Sequence, residues 1–293
     1  MFCDRSIVIR PGASAVVMTA MLCLTTYLGC SPEYSGGAAN VALVENREPF
    51  SMETRDGHTI YGHLHRPTSA VTGTGTSTGV GMGMVRTPDS TFTLILAFHQ
   101  GGSSGEAEYA PIIPRLLEEG FGVLTIDQRR GGDRFMGQNR VSSNFDQETV
   151  GYCDVIEDLE AAFSYALGVE DVDEIIAWGS SYSASLAVML GASHPELISR
   201  VLAFSPASGE SMAGCNPLSS AFDLRQPALF LRPKSEMSFG SVAADMDAYI
   251  NMGHQIFVAS PGAHGSSMLV DSRAEGDTEK TWNAVLEFLH DRL

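Results

Sequence analysis

Trp178–Ala184 reads WGSSYSA and lies between an apolar run, Ile175–Ala177, and a stretch of small residues with helical spacing. This order predicts a strand, a tight turn and a helix. A serine at the apex of such a turn takes a strained backbone conformation, so the residues two before and two after it must be small. Gly179 and Ser183 meet that condition around Ser181. The sequence therefore places Ser181 at the apex.

Two other serines fit the turn less well. With Ser180 at the apex, Trp178 and Tyr182 would occupy the two tight positions. With Ser183 at the apex, the preceding glycine would be lost. The simplest alternative interpretation of Trp178–Ala184 is a Gly/Ser-rich turn before an ordinary helix.

The pattern Gly179–Ser183 resembles the nucleophile elbow of the α/β-hydrolases, with Ser183 where the pattern usually ends in glycine. A second match is the aspartate-arginine turn Asp127–Gly132, for which the resemblance implies a structural network. The resemblance covers roughly residues 50–293 and is nearest to dienelactone-hydrolase-like and prolyl-oligopeptidase-like domains. It implies a serine hydrolase of the α/β-hydrolase fold. Because dienelactone hydrolases use cysteine and the sequence has no propeller segment, neither activity transfers directly.

The predicted strands and helices follow the order that this fold requires. A hairpin centred on Asp56-Gly57 comes first, and helices and strands then alternate, beginning with a strand at residue 91 and a helix near residues 106–119. We therefore expect a doubly wound, mostly parallel, eight-stranded sheet with helices on both faces. About twenty residues separate the sixth and seventh predicted strands, which leaves no room for a large lid domain.

A base and an acid should follow the nucleophile in the order acid, then histidine. His264 lies in a loop of small residues after the last predicted strand and is the expected base. Glu236 follows the seventh predicted strand and is the expected acid. Glu210 and Asp223, between the sixth and seventh strands, are the alternatives to Glu236.

The tetrahedral oxyanion of acyl transfer needs two backbone donors. One is expected from the amide of Tyr182. The segment Phe98–Gly102 (FHQGG), here called the oxyanion turn, resembles the histidine-glycine turn that supplies the second donor in this family. Either Gln100 or Gly101 provides that amide, and we expect His99 to brace the turn.

Two histidines on the second predicted strand are candidate metal ligands. His63 and His65 share one face of the strand, and His58 is the nearest further candidate. A protein zinc site needs at least three ligands. We therefore expect His63 and His65 on an exposed face, with no metal and no organic cofactor.

The N-terminal segment predicts export. Arg5 and Arg10 precede an apolar run from Ala13 to Leu28, which is too short and too early for a mature spanning helix. Cys30 follows, so residues 1–29 resemble a bacterial lipoprotein signal and Cys30 is the expected lipidation site. The expected product is a membrane-anchored periplasmic or cell-surface protein; the alternatives are soluble secretion and a retained anchor.

The remaining chain is predicted as a tether, residues 30–49, and one catalytic domain, residues 50–293, with a flexible Thr/Gly-rich insertion at 68–90. Loss of the signal and acylation of Cys30 would leave Cys153 and Cys215 as a possible disulfide in an oxidising compartment.

The net charge excludes one class of partner, and the motifs indicate one class of reaction. The net charge is −17 and the 18 basic residues form no cluster, so a nucleic-acid partner is not expected. The expected function is cleavage of a small or extended carboxylic ester through an acyl-enzyme. A peptidase of the same fold and a catalytically silent surface binding module are the alternatives.

Overall fold

The computed structural model describes residues 47–67 and 91–291. Its strands are β1 (Arg47–Glu53), β2 (Thr59–His65), β3 (Phe92–Phe98), β4 (Gly122–Asp127), β5 (Val172–Ser180), β6 (Arg200–Phe204), β7 (Ala228–Pro233) and β8 (Gln255–Ala259). They form one sheet in the order β1-β2-β4-β3-β5-β6-β7-β8. β2 is antiparallel to β1 and β4, and the other neighbours are parallel. The predicted doubly wound, mostly parallel sheet of eight strands is confirmed.

From β3 onward, one or two α-helices follow each strand. They are α1 (Gly105–Tyr109), α2 (Ile113–Glu118), α3 (Ile156–Ala166), α4 (Tyr182–Ser193), α5 (Pro217–Asp223), α6 (Gly240–Asn251), α7 (Asp271–Ala274) and α8 (Glu279–His290). Short 3-10 helices lie at Arg134–Met136, Ser142–Asn144, Cys153–Val155, Glu210–Met212, Glu236–Ser238 and Gly265–Leu269. Among the residues described, none of these helices combines the length and apolar character needed to cross a bilayer.

Several predicted segments lie outside the described residues. These are the signal peptide with Cys30, most of the tether, and the Thr/Gly-rich insertion. The first described strand begins at Arg47, slightly before the predicted start of the domain.

Two apolar cores cover the two faces of the sheet. Alternate side chains of a strand point to opposite faces, and in β3 they are apolar on both. Leu94, Leu96 and Phe98 pack in the core that contains α3, α4 and α6. Ile95 and Ala97 pack in the core that contains α1, α2 and α8. The continuous apolar run of β3 thus holds helices on both faces, as predicted.

The single helix predicted near residues 106–119 is wrong, because the structure divides it into α1 and α2. Pro111 has no amide hydrogen, so the Ala107 carbonyl cannot accept a helical bond from it. The guanidinium of Arg273 replaces the missing donors: it donates to the carbonyl oxygens of Ala107 at 2.9 Å and Glu108 at 2.8 Å.

The expected exposure of His63 and His65 is also wrong, because the two residues are only 6% and 1% exposed. Glu106 of α1 lies against them, with its Oε1 3.4 Å from His63 Nδ1 and 2.9 Å from His65 Nε2. Burial opposes ionisation of Glu106, but the hydrogen bonds from both histidines outweigh it, so the pKa of its carboxyl group lies well below the usual range. In residues 47–67 and 91–291, no three His, Cys, Asp or Glu side chains are grouped to hold a metal ion.

The aspartate-arginine turn after β4 forms the expected structural network. Arg129 donates to both oxygens of Asp56, at 2.6 and 3.0 Å, and is also paired with the buried Asp158. Asp127 accepts a bond of 2.6 Å from Arg140. The network ties the first hairpin to the end of β4 and to α3.

The connection between β6 and β7 contains one α-helix, α5, that is not among the predicted elements, besides the 3-10 helix Glu210–Met212. Asn216 caps this helix by accepting a 2.9 Å bond from the Leu218 amide, and Pro217 occupies its first position. An asparagine followed by proline is a helix-start signal that would have predicted α5.

Candidate active site

Ser181 lies at the apex of the turn between β5 and α4, with φ 61° and ψ −123°. Such a positive φ is unusual for a residue other than glycine and stores backbone strain. The turn is so tight that a Cβ atom on Gly179 would lie 2.1 Å from the Ser183 carbonyl oxygen. The structure therefore places Ser181 at the apex, as predicted, in preference to Ser180 or Ser183.

The structure brings three of the predicted site residues together. The Nε2 of His264 lies 2.8 Å from Ser181 Oγ, and its Nδ1 lies 2.6 Å from Glu236 Oε1. Both alternative acids, Glu210 and Asp223, are exposed, and neither is bonded to His264 in the described part of the chain.

Two residues that the sequence analysis did not identify hold Glu236. Arg232 donates to its Oε2 at 2.8 Å, and the Ser205 hydroxyl donates to its Oε1 at 3.3 Å. Burial opposes ionisation of Glu236, but the hydrogen bonds from His264 and Arg232 outweigh it and lower the pKa of the carboxyl group. Glu236 is therefore ionised and suited to accept the Nδ1 hydrogen of His264. The spacing of Arg232 and Glu236, four residues apart across the end of β7, was the available sequence signal.

The two candidate amides of the oxyanion turn differ in their partners. The Gln100 amide donates to the buried carboxyl group of Glu108 at 2.7 Å. No such bond is found for the Gly101 amide within the described part of the chain. Tyr182 is the first residue of α4, and the first amides of a helix have no partner within the helix. The amides of Gly101 and Tyr182 are therefore the available pair.

His99 braces the oxyanion turn, as expected. Its Nε2 accepts a 3.0 Å bond from the Gln128 amide, so the ring hydrogen lies on Nδ1 and is donated to the Gln100 carbonyl oxygen at 2.8 Å. Burial lowers the pKa of His99 and keeps this tautomer neutral.

Known structures with the same architecture are numerous. The Pyrococcus furiosus esterase Pf2001 matches with a TM-score of 0.58 and 18% identity, over 83% of this chain and 89% of its own. A Klebsiella pneumoniae protein provisionally assigned as a dienelactone hydrolase matches with a TM-score of 0.60 and 17% identity, over 84% and 99%. The chain has the α/β-hydrolase fold.

A third match of this fold is the acylaminoacyl peptidase of Pyrococcus horikoshii, with a TM-score of 0.58 and 14% identity. It covers 86% of this chain but only 43% of the peptidase. No protein-family model matches the chain, and none of the curated proteins matches it in sequence. At these identities, the matches establish the fold alone.

An open cleft of about 520 Å³ lies over Ser181 and His264. In α/β-hydrolases, as in other open parallel sheets, ligands bind at the carboxyl ends of the strands, and this cleft lies there. Arg130 and Tyr152 form part of its wall, with the guanidinium 4.3 Å from the centre of the tyrosine ring. A second cleft of similar size is lined by Phe92 and Arg200. It contains neither Ser181, Glu236 and His264 nor any residue of the oxyanion turn.

A disulfide joins Cys153 and Cys215, whose Cα atoms are 5.5 Å apart. Cys153 begins the 3-10 helix before α3 and directly follows Tyr152 of the cleft wall. Cys215 lies just before α5. The bond therefore connects one wall of the cleft to the connection between β6 and β7.

Proposed function

We propose that this protein is a serine hydrolase that cleaves carboxylic esters through an acyl-enzyme, with Ser181 as nucleophile, His264 as base and Glu236 as acid. The observation that carries the proposal is the continuous chain of hydrogen bonds from Ser181 Oγ through His264 to Glu236, at 2.8 and 2.6 Å. A nucleophile bonded to a base that is itself oriented by a third group is the signature of covalent acyl transfer.

In the first half of the reaction, Ser181 Oγ attacks the ester carbonyl carbon and its proton passes to His264 Nε2. The ionised Glu236 stabilises the imidazolium. The Gly101 and Tyr182 amides donate to the oxyanion. Collapse of the tetrahedral intermediate breaks the bond to the alcohol, which leaves with the proton from His264.

In the second half, a water molecule attacks the acyl group on Ser181. His264 takes a proton from the water, and the same two amides stabilise the second oxyanion. Collapse releases the carboxylic acid and returns the proton to Ser181 Oγ. The net reaction consumes one water for each ester cleaved.

The cleft is open, and the connection between β6 and β7 carries only the 3-10 helix Glu210–Met212 and the short helix α5, so the site suits small or extended substrates better than buried lipid chains. The matching structures include an esterase and an acylaminoacyl peptidase, so a peptidase is the second candidate. A silent binding module is less favoured, because the strained serine and its two partners are all in place.

Hydrolysis of p-nitrophenyl acetate and of p-nitroacetanilide by the purified protein tests the proposal, since the two substrates share an acyl group. We expect the ester to be cleaved much faster than the anilide, and Ser181→Ala to lose the activity. Ser193→Ala, at the exposed end of the same helix, is the matched control and should keep it. Faster cleavage of the anilide would favour the peptidase, and equal rates for Ser181→Ala and the wild type would contradict the proposed nucleophile.

We also propose that the protein is exported and tethered through lipidated Cys30. The Cys153–Cys215 disulfide supports an oxidising compartment, since such bonds are rare in the cytosol. Mass spectrometry of the mature N-terminus in a lipoprotein-processing bacterium tests this. A diacylglyceryl-modified Cys30 is expected, whereas an unmodified terminus beyond Cys30 would indicate soluble secretion.

A further inference from the structure

Glu108 is an acidic residue of α1 with no exposed surface. Fully buried glutamates are rare unless they are paired. The guanidinium of Arg273 is close by, but it donates to the backbone carbonyls of Ala107 and Glu108 rather than to the carboxyl group. The burial of this acid therefore needs an explanation other than an ion pair.

The first contact of Glu108 is with the oxyanion turn. Its Oε2 accepts the hydrogen of the Gln100 amide at 2.7 Å. On the other side of Gln100, the carbonyl oxygen accepts a hydrogen from His99 Nδ1 at 2.8 Å. That carbonyl and the Gly101 N–H belong to one planar trans peptide group and point in opposite directions. The groups that hold Gln100 thus set the direction of the Gly101 N–H.

The second contact of Glu108 is with the residues beside the nucleophile and the base. Ser180, next to Ser181, is a polar neighbour of the Glu108 carboxyl group. The Ser180 hydroxyl also accepts a 2.9 Å bond from the Ser266 amide. A Cβ atom on Gly265 would lie 2.3 Å from Ser180 Oγ and 3.9 Å from Glu108 Oε1. Glu108 therefore lies where the oxyanion turn, the nucleophile strand and the histidine loop meet.

The protonation state of Glu108 is compatible with a position beside the oxyanion turn. Burial is the dominant influence and raises the pKa of the carboxyl group, although the hydrogen bond from the Gln100 amide opposes it. A full negative charge at this point would oppose the charge that develops on the substrate oxygen. The acceptor oxygen is available to the Gln100 amide in either protonation state.

We propose that Glu108 is a positioning residue: its Oε2 holds the Gln100 amide, and so directs the Gly101 N–H to the oxyanion. The inference rests on the proposed serine hydrolase function and extends it to a residue that does not touch the substrate. The role depends on an acceptor oxygen at the right distance, and not on the negative charge.

Three variants of Glu108 separate the acceptor oxygen from the carboxyl group. Glu108→Gln keeps an acceptor oxygen at the same reach, Glu108→Met removes it at similar volume, and Glu108→Asp keeps the carboxyl group but is one methylene shorter. Loss of a whole oxyanion donor costs about 10²–10³ in kcat. For a misdirected donor we expect kcat for p-nitrophenyl acetate to fall about 10- to 100-fold in the Met and Asp variants. KM should change little, and Glu108→Gln should stay close to the wild type.

Glu106→Met is the control, because it removes an acid from the same helix without touching the oxyanion turn. It should lower the urea midpoint of unfolding while kcat is kept. Wild-type kcat in the Met and Asp variants, an equal loss in Glu108→Gln, or an equal loss in Glu106→Met would each overturn the proposal. If Glu108→Met does not fold, the comparison of Glu108→Asp with Glu108→Gln decides. Absence of ester hydrolysis in the wild type would instead contradict the proposed function itself.

Discussion

The Ser183 hydroxyl donates a hydrogen bond of 2.6 Å to the His99 carbonyl oxygen. It also accepts a bond of 2.8 Å from Gln128 Nε2. Ser183 stands where the elbow pattern usually has glycine, and its side chain has no exposed surface. The serine therefore joins α4, which directly follows Ser181, to the end of β3 and the oxyanion turn.

Ser183→Ala should lower the free energy of unfolding by about 1–3 kcal/mol, because it leaves the buried His99 carbonyl and one hydrogen of Gln128 without a partner. Urea unfolding measures this change. Ser193→Ala serves as the control, because the Ser193 hydroxyl bonds the Met189 carbonyl at an exposed position. Its cost should stay within about 0.5 kcal/mol. Equal costs for both variants would show that the Ser183 bond contributes nothing beyond an exposed one.

Glu236→Gln should lower kcat by about 10³–10⁴-fold, since the amide cannot stabilise the imidazolium as the carboxylate does. Glu210→Gln and Asp223→Asn should leave kcat near the wild-type value, because both residues are exposed and unconnected to His264 in the described structure. The three variants are compared in one ester assay. A larger loss for Glu210→Gln than for Glu236→Gln would move the acid to the connection after β6.

The contribution of Glu236 to stability should depend on pH. Its pKa is lower in the folded protein than the usual value of about 4.3 for glutamate. The ionised group therefore stabilises the fold above that pH, and this stabilisation is lost as the pH falls through the lowered folded value. Urea unfolding should show Glu236→Gln less stable than the wild type near neutral pH, with the difference shrinking below about pH 4.

The exposed Glu210→Gln is the control for the pH series. It should not reproduce the loss of stability at neutral pH. A difference between Glu236→Gln and the wild type that stays constant or grows in acid would contradict the assigned hydrogen bonds of Glu236.

Replacing both Cys153 and Cys215 by alanine should lower the free energy of unfolding by about 2–4 kcal/mol, because a disulfide restricts the unfolded chain. Reduction with dithiothreitol should destabilise the wild type by a similar amount and leave the double variant unchanged. The double variant thereby controls for other effects of the reductant. A wild type that is insensitive to the reductant would contradict a disulfide with this stabilising role.

The sequence predicts candidate residues that the structure brings together because each of these features depends on a short local pattern. The Gly179–Ser183 turn, the loop around His264 and the acid after β7 can each be identified within a few residues of the chain. The features that it missed depend on contacts between distant segments. The Gly101 amide is favoured over the Gln100 amide as the oxyanion donor because Glu108, on the helix after the turn, accepts the Gln100 hydrogen. His63 is buried because α1 packs against β2.

Covalent labelling with a fluorophosphonate, followed by peptide mapping, tests the central claim most directly, because the probe reacts only with an activated serine. We predict a single modification on Ser181 in the wild type, no modification of Ser181→Ala, and slow labelling of His264→Ala. A label on another serine, or no label on folded wild-type protein, would contradict the assignment of Ser181 as an activated nucleophile.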